Sequence, residues 1–559
     1  MTKLDTTTKQ DVDLNTDVLV IGAGFTGYKA AQEVSDWGYK VVLLEQTAGA
    51  ESKQALCPGL VPDLDAEEDE EVKSLFAKVS SSTNIELLSG LALRKVDGFP
   101  GGFSISLAQD GKELKKECGS ILVATDLKTE SLHEAYGLEL SDQVWSQSQL
   151  EDILFTEGDS QSALQGRDDV VFLLGFGQEG NPVVLERAMR SIERLTEKNK
   201  VYPYIFVNNL KVAADGLEKL YKKCRDCGAV FFKLTEAPKL ENAGQKLTFM
   251  DPIAREEVEI TPDLLVMEEA FQADSSHEEL AQKLRIDIGP WTFLQSDNVH
   301  NFPVRTNREG IYVLGSSRDV RNLSAAWTDV QNAALEVKRL LGQGQKQVPR
   351  EKAVVDHEKC CFCLTCYRSC PHGAIYWEEK PLISPLACQA CGICASECPQ
   401  DAIQIGDFED DSIKKQVQDV VQGAKGSKDP LIVAFCCQNS ASEAAEMAKT
   451  FELPLPQGLN LIEVPCAGKI DLDYILSAYV EGVDGVMVMT CHQSNCKSER
   501  GNIFAGWRVD TAQRMLKETG FGEERLKMVT LASNMGHEFA KSAREMEEQL
   551  KASTPSPFK

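Results

Sequence analysis

Short apolar runs alternate with longer amphipathic stretches through most of the chain. The first run, residues 17–21, precedes a helical pattern that ends at Gly38, and a second run follows at 40–44. The same order returns with an apolar run at 169–174 and a helical pattern at 183–195. Strands that alternate with helices in this way predict parallel sheets in an α/β fold.

The last quarter of the chain repeats this order three times. The apolar runs and the helical patterns after them pair as 430–435 with 441–451, 459–464 with 472–482, and 484–489 with 509–519. The sequence therefore predicts a multidomain α/β protein that ends in a parallel α/β domain of its own.

Charge and length narrow the class of protein. The 559 residues suffice for three or four cores, and a net charge of −27 argues against nucleic acid and anionic lipid as direct partners. The first residues are polar and acidic, and no apolar stretch reaches the ~18 residues of a membrane span. We expect a cytoplasmic protein without direct membrane insertion, which reaches the inner face of a membrane only through partner subunits.

Nine of the eighteen cysteines lie between residues 360 and 398. Eight of them form two copies of C-x2-C-x2-C-x3-C-P, a spacing typical of two [4Fe–4S] clusters in a ferredoxin domain. The fourth cysteine of each copy then ligates the cluster of the other copy. We expect one cluster on Cys360, Cys363, Cys366 and Cys398, and the other on Cys388, Cys391, Cys394 and Cys370.

Paired zinc sites and disulfides are the alternatives for these cysteines. Zinc sites with four ligands do not account for the proline after each fourth cysteine, and disulfides do not fit a chain without a secretion signal. Cys361 is left as a spare thiol.

A glycine-rich loop follows the first apolar run. The segment G-A-G-F-T-G at 22–27 sits between a strand and a helix, and the next strand ends in an acidic residue. This order is a dinucleotide-binding fingerprint, in which the glycines admit a pyrophosphate and the acid accepts from a ribose hydroxyl. The candidate binding residues are Gly22, Gly24, Phe25, Thr26, Gly27 and Glu45.

Two later segments favour FAD over NAD as the dinucleotide. Many flavoproteins of two segments close the FAD site with a strand, a glycine and an aspartate, and residues 310–315 followed by Asp319 have this form. Residues 120–125 resemble the strand that crosses back over the cofactor, although Asp126 replaces the usual glycine. These segments add the candidates Ala124, Thr125, Gly315 and Asp319.

A second dinucleotide-type fold is expected between the FAD segments. Gly175 to Gly180 follow its first strand, but the next strand ends in Asn208-Asn209, with neither an acid nor an arginine to bind a ribose, and Pro182 interrupts the start of the helix. A retained fold with a degenerate site is favoured over NAD(P)H binding. The flavin-facing region offers only Cys57, which argues against disulfide chemistry.

Five further cysteines follow the apolar runs of the last domain: Cys436, Cys437, Cys466, Cys491 and Cys496. Because the carboxyl ends of parallel strands meet at one edge, these thiols are expected to converge and to hold a [2Fe–2S] cluster. Buried cysteines without a cluster are the alternative, since cysteine is among the most buried residue types.

Assembled in order, these parts resemble known proteins. The FAD segments, N-I-E-L-L at 84–88, D-G-F-P-G-G-F at 97–103 and the double ferredoxin motif resemble the A subunit of heterodisulfide reductase. F-C-C at 435–437, P-C-A-G-K at 465–469, D-G-V-M-V at 484–488 and C-H-x3-C before Gly501-Asn502 resemble the delta subunit of methyl-viologen-reducing hydrogenase. The fusion is similar to the B subunit of the quinone-interacting membrane-bound oxidoreductases.

The resemblance implies an electron-transfer subunit that links menaquinol to a soluble reductase such as adenylylsulfate reductase. Its partners would be a second flavoprotein together with a haem or iron–sulfur membrane subunit. Two alternatives stay open: a soluble, heterodisulfide reductase-like complex with hydrogenase or formate dehydrogenase, and a self-contained NAD(P)H-dependent flavoenzyme. The chain departs from the resemblance at Ser440, where the delta subunit has another cysteine, and lacks the cysteine-rich motifs for heterodisulfide cleavage.

The expected domains follow from these motifs. They are an FAD domain at 1–150 closed by 301–345, an inserted dinucleotide-like domain at 151–300, a ferredoxin domain at 346–407, a linker at 408–428 and the delta subunit-like domain at 429–559.

Overall fold

The computed structural model describes residues 4–46, 66–109, 112–155, 163–198, 201–295 and 298–553. It confirms the α/β class with its several sheets. The elements of the first region are β1 (Lys9–Asp13), β2 (Val18–Ile21), α1 (Phe25–Asp36), β3 (Val41–Glu45), α2 (Ala66–Ser81), β4 (Ile85–Ser89), β5 (Ala92–Phe99), β6 (Gly102–Gln109), β7 (Lys112–Cys118) and β8 (Ser120–Val123).

The inserted fold comes next. Its elements are β9 (Leu127–Ser131), β10 (Val144–Ser146), α3 (Gln147–Phe155), β11 (Asp169–Leu174), α4 (Pro182–Lys198), β12 (Tyr202–Val207), α5 (Leu217–Asp226), β13 (Val230–Lys233), β14 (Lys239–Glu241), β15 (Lys246–Met250), β16 (Glu257–Ile260), β17 (Leu264–Met267) and β18 (Glu269–Ala273). A parallel sheet in the order β10-β17-β11-β12-β13 forms its centre.

The chain then returns to the first region. The closing elements are α6 (His277–Leu284), β19 (Ile311–Val313), α7 (Leu323–Leu341) and β20 (Gln345–Pro349). Strand β19 completes a parallel sheet in the order β19-β8-β2-β3-β4, and β20 pairs with β1. Strands β2, β8 and β19 are buried along their whole length because other elements pack on both faces of the sheet, whereas β3 is partly exposed.

The boundaries of the inserted fold differ from the expected 151–300. Strand β10 precedes residue 151 and belongs to the inserted sheet, whereas Leu280 and Leu294 pack in the core of the FAD region. The insertion instead enters and leaves through the antiparallel pair β9 and β18. Strand β9 is mostly exposed and polar, so its sequence carries no apolar signal.

Pro182 does not interrupt α4 but is its first residue. A proline fits there because the first turn of a helix has no intrahelical partner for its N–H groups.

Small elements build the ferredoxin region. They are β21 (Ala353–Val355), α8 (Thr365–Ser369), β22 (Ile375–Trp377), β23 (Pro381–Ile383), α9 (Ile393–Ser396) and β24 (Ile403–Ile405). Strand β21 pairs with β24 and β22 with β23, so the two halves of the motif repeat face each other.

The last region is a parallel α/β domain. Its elements are α10 (Asp410–Gly423), β25 (Ile432–Cys437), α11 (Ala441–Thr450), β26 (Leu459–Val464), α12 (Leu472–Glu481), β27 (Gly485–Thr490), α13 (Gly501–Glu518), β28 (Leu526–Thr530) and α14 (Gly536–Ala552). The strand order is β26-β25-β27-β28.

The expected linker at 408–428 is largely helix α10. Ile413 and Val417 of this helix are buried in the core of the last domain. Their spacing of four residues is helical, but acidic residues and glycines around them gave the segment the composition of a linker.

Candidate redox sites

The first glycine loop brings backbone segments into close approach. A Cβ on Gly22 would lie 2.3 Å from the carbonyl oxygen of Ala124, and a Cβ on Gly27 would lie 1.8 Å from the carbonyl oxygen of Gly22. Gly22 also has φ +104°, so a side chain is excluded by both space and conformation. Helix α1 begins at Phe25, and the start of a helix favours an anionic group.

The closing segment packs against this loop. The side chain of Thr26 lies 3.0 Å from the position of a Cβ on Gly315, and the ring of Phe25 stacks on Trp327 with centroids 5.9 Å apart. Glu45 is the last residue of β3, and its Oε2 accepts a hydrogen bond from the Ala23 N–H at 3.1 Å. An acidic side chain therefore stands beside the loop, where a ribose hydroxyl would need an acceptor.

A small polar network surrounds Thr125. Its Oγ1 lies 2.6 Å from Nε2 of His277 and 2.8 Å from Oγ of Ser317, and its N–H donates to the same serine oxygen at 2.7 Å. Ala124, just before it, is fully buried. Sequence reasoning missed His277 and Ser317 because no spacing links them to the glycine loop.

Asp126 occupies the position of the usual glycine and faces the same loop. A Cβ on Gly24 would lie 2.2 Å from Oδ1 of Asp126. Burial, together with the neighbouring carboxylates of Glu45 and Asp274, raises the pKa of Asp126 to about 7. A neutral carboxyl group here is compatible with a nearby diphosphate, whereas an ionised one would repel it.

Two acidic residues lie in or near the closing segment. Asp319 is exposed and accepts from the Val320 N–H at 2.7 Å. The buried acid is Asp329, whose carboxylate accepts from the Gly315 N–H at 3.2 Å and from Arg318 at 2.8 Å. Its position on the buried face of α7 was the signal that could have revealed it.

These features fit FAD: the glycine cradle and helix start suit the pyrophosphate, and Glu45 suits the ribose.

Two small cavities lie in the ferredoxin region. Each cavity draws three cysteines from one motif and the fourth from the other, as the spacing predicts. One is lined by Cys388, Cys391, Cys394 and Cys370, and the other by Cys360, Cys363, Cys366 and Cys398. Cys361 also borders the second cavity.

Burial shapes the chemistry of these thiols. It raises the pKa of Cys391 and Cys394 well above the ordinary value and that of Cys366 to about 11. Thiolates in such surroundings need a nearby positive charge, which metal ions supply when they bind sulfur. Four thiols around each cavity are the donor set of a [4Fe–4S] cluster. Within the described ranges, no group of histidine, cysteine, aspartate or glutamate side chains is placed to hold a single metal ion.

His372 lines the first of these cavities. Its Nδ1 lies 3.2 Å from the carbonyl oxygen of Asn307, while its buried Nε2 has no hydrogen-bond partner in the described part of the chain. Asn307 also donates to the carbonyl oxygen of Pro371 at 2.6 Å. The FAD region and the cysteine cavity therefore meet at this pair of residues.

Four cysteines of the last domain converge at the edge of its sheet. Sγ of Cys437 lies 3.8 Å from Sγ of Cys491, and Sγ of Cys466 lies 3.9 Å from Sγ of Cys496. Hydrogen bonds to Cys437 and Cys496 raise the pKa of Cys466 well above its ordinary value, so the two pairs are also in contact with each other.

Cys436 does not join this set. It is the neighbour of Cys437 within β25, and consecutive strand residues point to opposite faces of a sheet. Its Sγ lies 4.0 Å from the sulfur of Met489, in the apolar core on the other side. The expectation that Cys436 converges with the other four cysteines on one site is therefore wrong.

Gly501 and Asn502, which follow the last cysteine, support the arrangement of the four converging thiols. A Cβ on Gly501 would lie 2.2 Å from Sγ of Cys466, so a side chain there would displace the thiol. Asn502 donates to the carbonyl oxygens of Cys491 and His492 at 3.2 and 2.7 Å. This explains the G-N pair that follows C-H-x3-C in the sequence.

Of the remaining cysteines, Cys57 lies outside the described residues. Cys224 is buried at the end of α5, where its thiol donates to the carbonyl oxygen of Met189 at 3.2 Å, and Cys227 is exposed.

Three family models match separate parts of the chain. Residues 432–553 match the delta subunit of methyl-viologen-reducing hydrogenase, residues 16–151 match pyridine nucleotide-disulphide oxidoreductase, and residues 353–376 and 381–404 match the 4Fe-4S binding domain. The FAD-type domain and the [4Fe–4S] motifs are therefore present.

Among curated proteins, the A subunit of ferredoxin:CoB-CoM heterodisulfide reductase from Methanosarcina mazei is 25% identical over 472 residues, which cover 81% of this chain and 59% of that protein. The chain likewise spans 60% of the length of the related protein from Methanosarcina acetivorans. The iron-sulfur D subunit of the F420-non-reducing hydrogenase from Methanocaldococcus jannaschii is 34% identical over 131 residues, 23% of this chain and 98% of that protein.

Among solved structures, thioredoxin reductase from Lactococcus lactis matches 58% of this chain and 98% of its own length, at 19% identity and a TM-score of 0.39.

The fold and the sites define a redox protein of the oxidoreductase class. The chain is similar to the A subunit of heterodisulfide reductase, and it carries a domain of the hydrogenase delta subunit family. Among the described residues, no helix combines the length and apolar character that crossing a membrane requires.

Proposed function

We propose that this chain is an electron-transfer subunit that relays electrons between FAD, two [4Fe–4S] clusters and one [2Fe–2S] cluster. FAD exchanges electrons in pairs and iron–sulfur clusters exchange them singly, so their combination connects the two kinds of chemistry. The chain lacks cysteine-rich motifs for substrate cleavage, so the substrate chemistry is assigned to partner subunits.

In this proposal each cofactor has its own residues. FAD is held by Gly22, Gly24, Phe25, Thr26, Gly27, Glu45, Ala124, Thr125, Gly315 and Asp319. The cubane clusters are held by the two cysteine sets that line the ferredoxin cavities. The [2Fe–2S] cluster is held by Cys437, Cys466, Cys491 and Cys496.

The observation that carries the proposal is a shared core. Cys391, from the first cavity, packs in the same apolar cluster as the four converging cysteines of the last domain. Between them, Ile393 reaches so close to Gly468 that a Cβ there would lie 2.5 Å from the isoleucine side chain. Direct packing of this kind excludes water and keeps the two cysteine sets close, which supports transfer between them.

Polar contacts hold the ferredoxin region against the last domain on one side and against the FAD region on the other. Arg508 donates to the carbonyl oxygens of Gly468 and Ile470 at 3.0 and 2.9 Å, and its guanidinium pairs with Glu397 of the ferredoxin region at 2.5 Å. On the flavin side, Asn307 and His372 make the corresponding connection. The ferredoxin region thus contacts both the FAD region and the last domain.

For the partners, we propose a complex that links menaquinol to a soluble reductase such as adenylylsulfate reductase, through a second flavoprotein and a haem or iron–sulfur membrane subunit. A second candidate is a soluble complex with a hydrogenase or formate dehydrogenase. It is favoured by the last domain, because a relative that it covers almost completely is named a hydrogenase subunit.

Isolation of the native complex distinguishes the two candidates. A membrane subunit with haem absorbance in the purified complex supports the quinone-linked assembly, whereas a hydrogenase or formate dehydrogenase subunit supports the soluble one. Purification of the chain as a stable monomer without redox partners would contradict both.

The relay itself is tested where the ferredoxin region packs against the last domain. We expect Gly468→Val to slow reduction of the cubane clusters by electrons that enter at the last domain, because the new side chain separates Ile393 from the cysteine set. Gly423→Val is the matched control, since nothing lies within 4 Å of a Cβ at that position. Freeze-quench electron paramagnetic resonance follows the transfer, and iron analysis verifies that the clusters are retained. Equal rates in both variants would contradict the relay.

A further inference from the structure

The glycine loop of the inserted fold binds a carboxylate of its own chain. Residues 175–180 lie between β11 and α4, where open dinucleotide folds bind a pyrophosphate. Glu268 comes directly after β17, the strand that pairs with β11. Its side chain is 1% exposed and points into this loop.

The carboxylate of Glu268 is surrounded by donors. Its Oε2 accepts from the Gly175 N–H at 2.7 Å, and its Oε1 accepts from the Gly177 N–H at 3.0 Å and from the Tyr136 hydroxyl at 2.5 Å. Gln178 adds a longer contact to Oε2 at 3.3 Å. The backbone amides that would bind a phosphate are thus already bonded to an internal anion.

The segment before β10 also covers the loop. A Cβ on Gly177 would lie 3.1 Å from the ring of Tyr136 and 3.3 Å from the side chain of Leu132. Just after β12, the side-chain amide of Asn208 donates to the carbonyl oxygen of Thr235 at 3.1 Å. The groups that would bind the pyrophosphate and the ribose of a nucleotide are therefore both engaged within the chain.

We propose that Glu268 replaces the phosphate of a nucleotide and closes the inserted fold to NAD(P)H. A buried carboxylate is stable only where several donors compensate for its lost hydration, and the glycine loop supplies them. The inserted fold then acts as a scaffold. This inference extends the proposed function, because electrons would reach the flavin only from protein partners.

Binding of NADH to the intact wild-type protein is the first test. We expect no saturable binding of NADH or NADPH up to about 1 mM by calorimetry, because Glu268 and Tyr136 occupy the loop. Saturable binding at micromolar concentrations would overturn the inference and leave the relay between the cysteine sets unaffected. Failure of the relay test together with no NADH binding would contradict the proposed function and leave the inference about Glu268 intact.

Amide hydrogen exchange is the second test, because it reports on the loop directly. In Glu268→Ala we expect exchange at Gly175 and Gly177 to accelerate at least tenfold, and inorganic pyrophosphate to slow it again. Glu139→Ala, at an exposed glutamate, is the matched control and should change neither amide. If Glu268→Ala does not fold, Tyr136→Phe removes one donor and should accelerate exchange at Gly177 to a smaller extent. Unchanged exchange in the folded variants would overturn the inference.

Discussion

Sγ of Cys437 lies 3.8 Å from Sγ of Cys491, across the neighbouring parallel strands β25 and β27. Cys436, one residue earlier, faces the opposite side of the same sheet and contacts Met489. Adjacent cysteines in one strand therefore have separate environments: one belongs to the converging thiols, and the other belongs to an apolar core.

This separation gives a direct prediction for the tail cluster. We expect Cys437→Ser to lower the iron content of the full chain by about two per molecule and Cys436→Ser to leave it unchanged. Iron analysis and the electron paramagnetic resonance signal of the reduced protein measure both. Retention of the [2Fe–2S] signal in Cys437→Ser, or its loss in Cys436→Ser, would contradict the assignment.

The ferredoxin cysteines allow a similar comparison. Cys398 lines the cavity of the first motif although it belongs to the second, whereas Cys361 is exposed. We expect Cys398→Ser to remove or convert the cluster on Cys360, Cys363 and Cys366, with a loss of one to about four irons. Cys361→Ser should keep the full content. An effect of Cys398→Ser on the other cluster alone would show that each motif holds one cluster with its own four cysteines.

The sequence predicted most accurately the features that depend on spacing or on close backbone approach. The spacing of the eight ferredoxin cysteines predicts that the fourth cysteine of each motif joins the other three-cysteine set, and the linings of the two cavities agree. Gly22 and Gly27 could be identified because no other residue fits where backbone atoms would lie within about 2 Å of a Cβ.

Features that depend on tertiary contacts could not be inferred in this way. Glu268 bonds to the amide of Gly175, which lies 93 residues earlier in the chain, so no spacing connects the two. The separation of Cys436 from Cys437 could have been predicted from strand alternation if the strand had been extended by two residues.

The two glycine loops should respond differently to the same substitution. We expect Gly24→Val to yield a folded protein without FAD, because the side chain would meet Asp126 and fill the approach of the pyrophosphate. Gly177→Val should keep its flavin, since its new contacts are with Tyr136 and Glu268 in the inserted fold. Flavin absorbance per chain after purification measures the difference. Loss of FAD from Gly177→Val alone would reverse the assignment of the two loops.

Asp126 should make stability depend on pH. Its pKa rises from an ordinary 3.8 to about 7, so the folded chain holds this proton more tightly than the unfolded chain does. The contribution is therefore most favourable below pH 4 and is lost as pH rises toward 7. We therefore expect the stability of Asp126→Asn relative to wild type, measured by urea unfolding, to be higher at pH 8 than at pH 5. Asp142→Asn, at an exposed carboxylate, should show no such difference. The same pH-dependent change in both variants would argue against Asp126 as the cause.

The junction between the ferredoxin and last domains should depend on one buried lysine. Lys469 is fully buried, its ammonium pairs with Asp410 at 2.5 Å, and it also bonds to the hydroxyl of Tyr474. Burial and Asp410 raise the pKa of Tyr474, so this hydroxyl stays neutral and cannot replace the lost cation.

We therefore expect Lys469→Met to reduce the free energy of unfolding by about 3 kcal/mol, because it leaves the partly buried Asp410 without its cation. Adding Asp410→Asn should restore part of this loss, since the second change removes the uncompensated charge. Lys414→Met, which breaks an exposed pair with Asp473, is the control and should cost less than about 1 kcal/mol. Denaturant unfolding of the wild type, Lys469→Met, the double variant and Lys414→Met measures these differences in the free energy of unfolding. If the double variant is no more stable than Lys469→Met, the lysine contributes through its packing against Gly392 rather than through its charge.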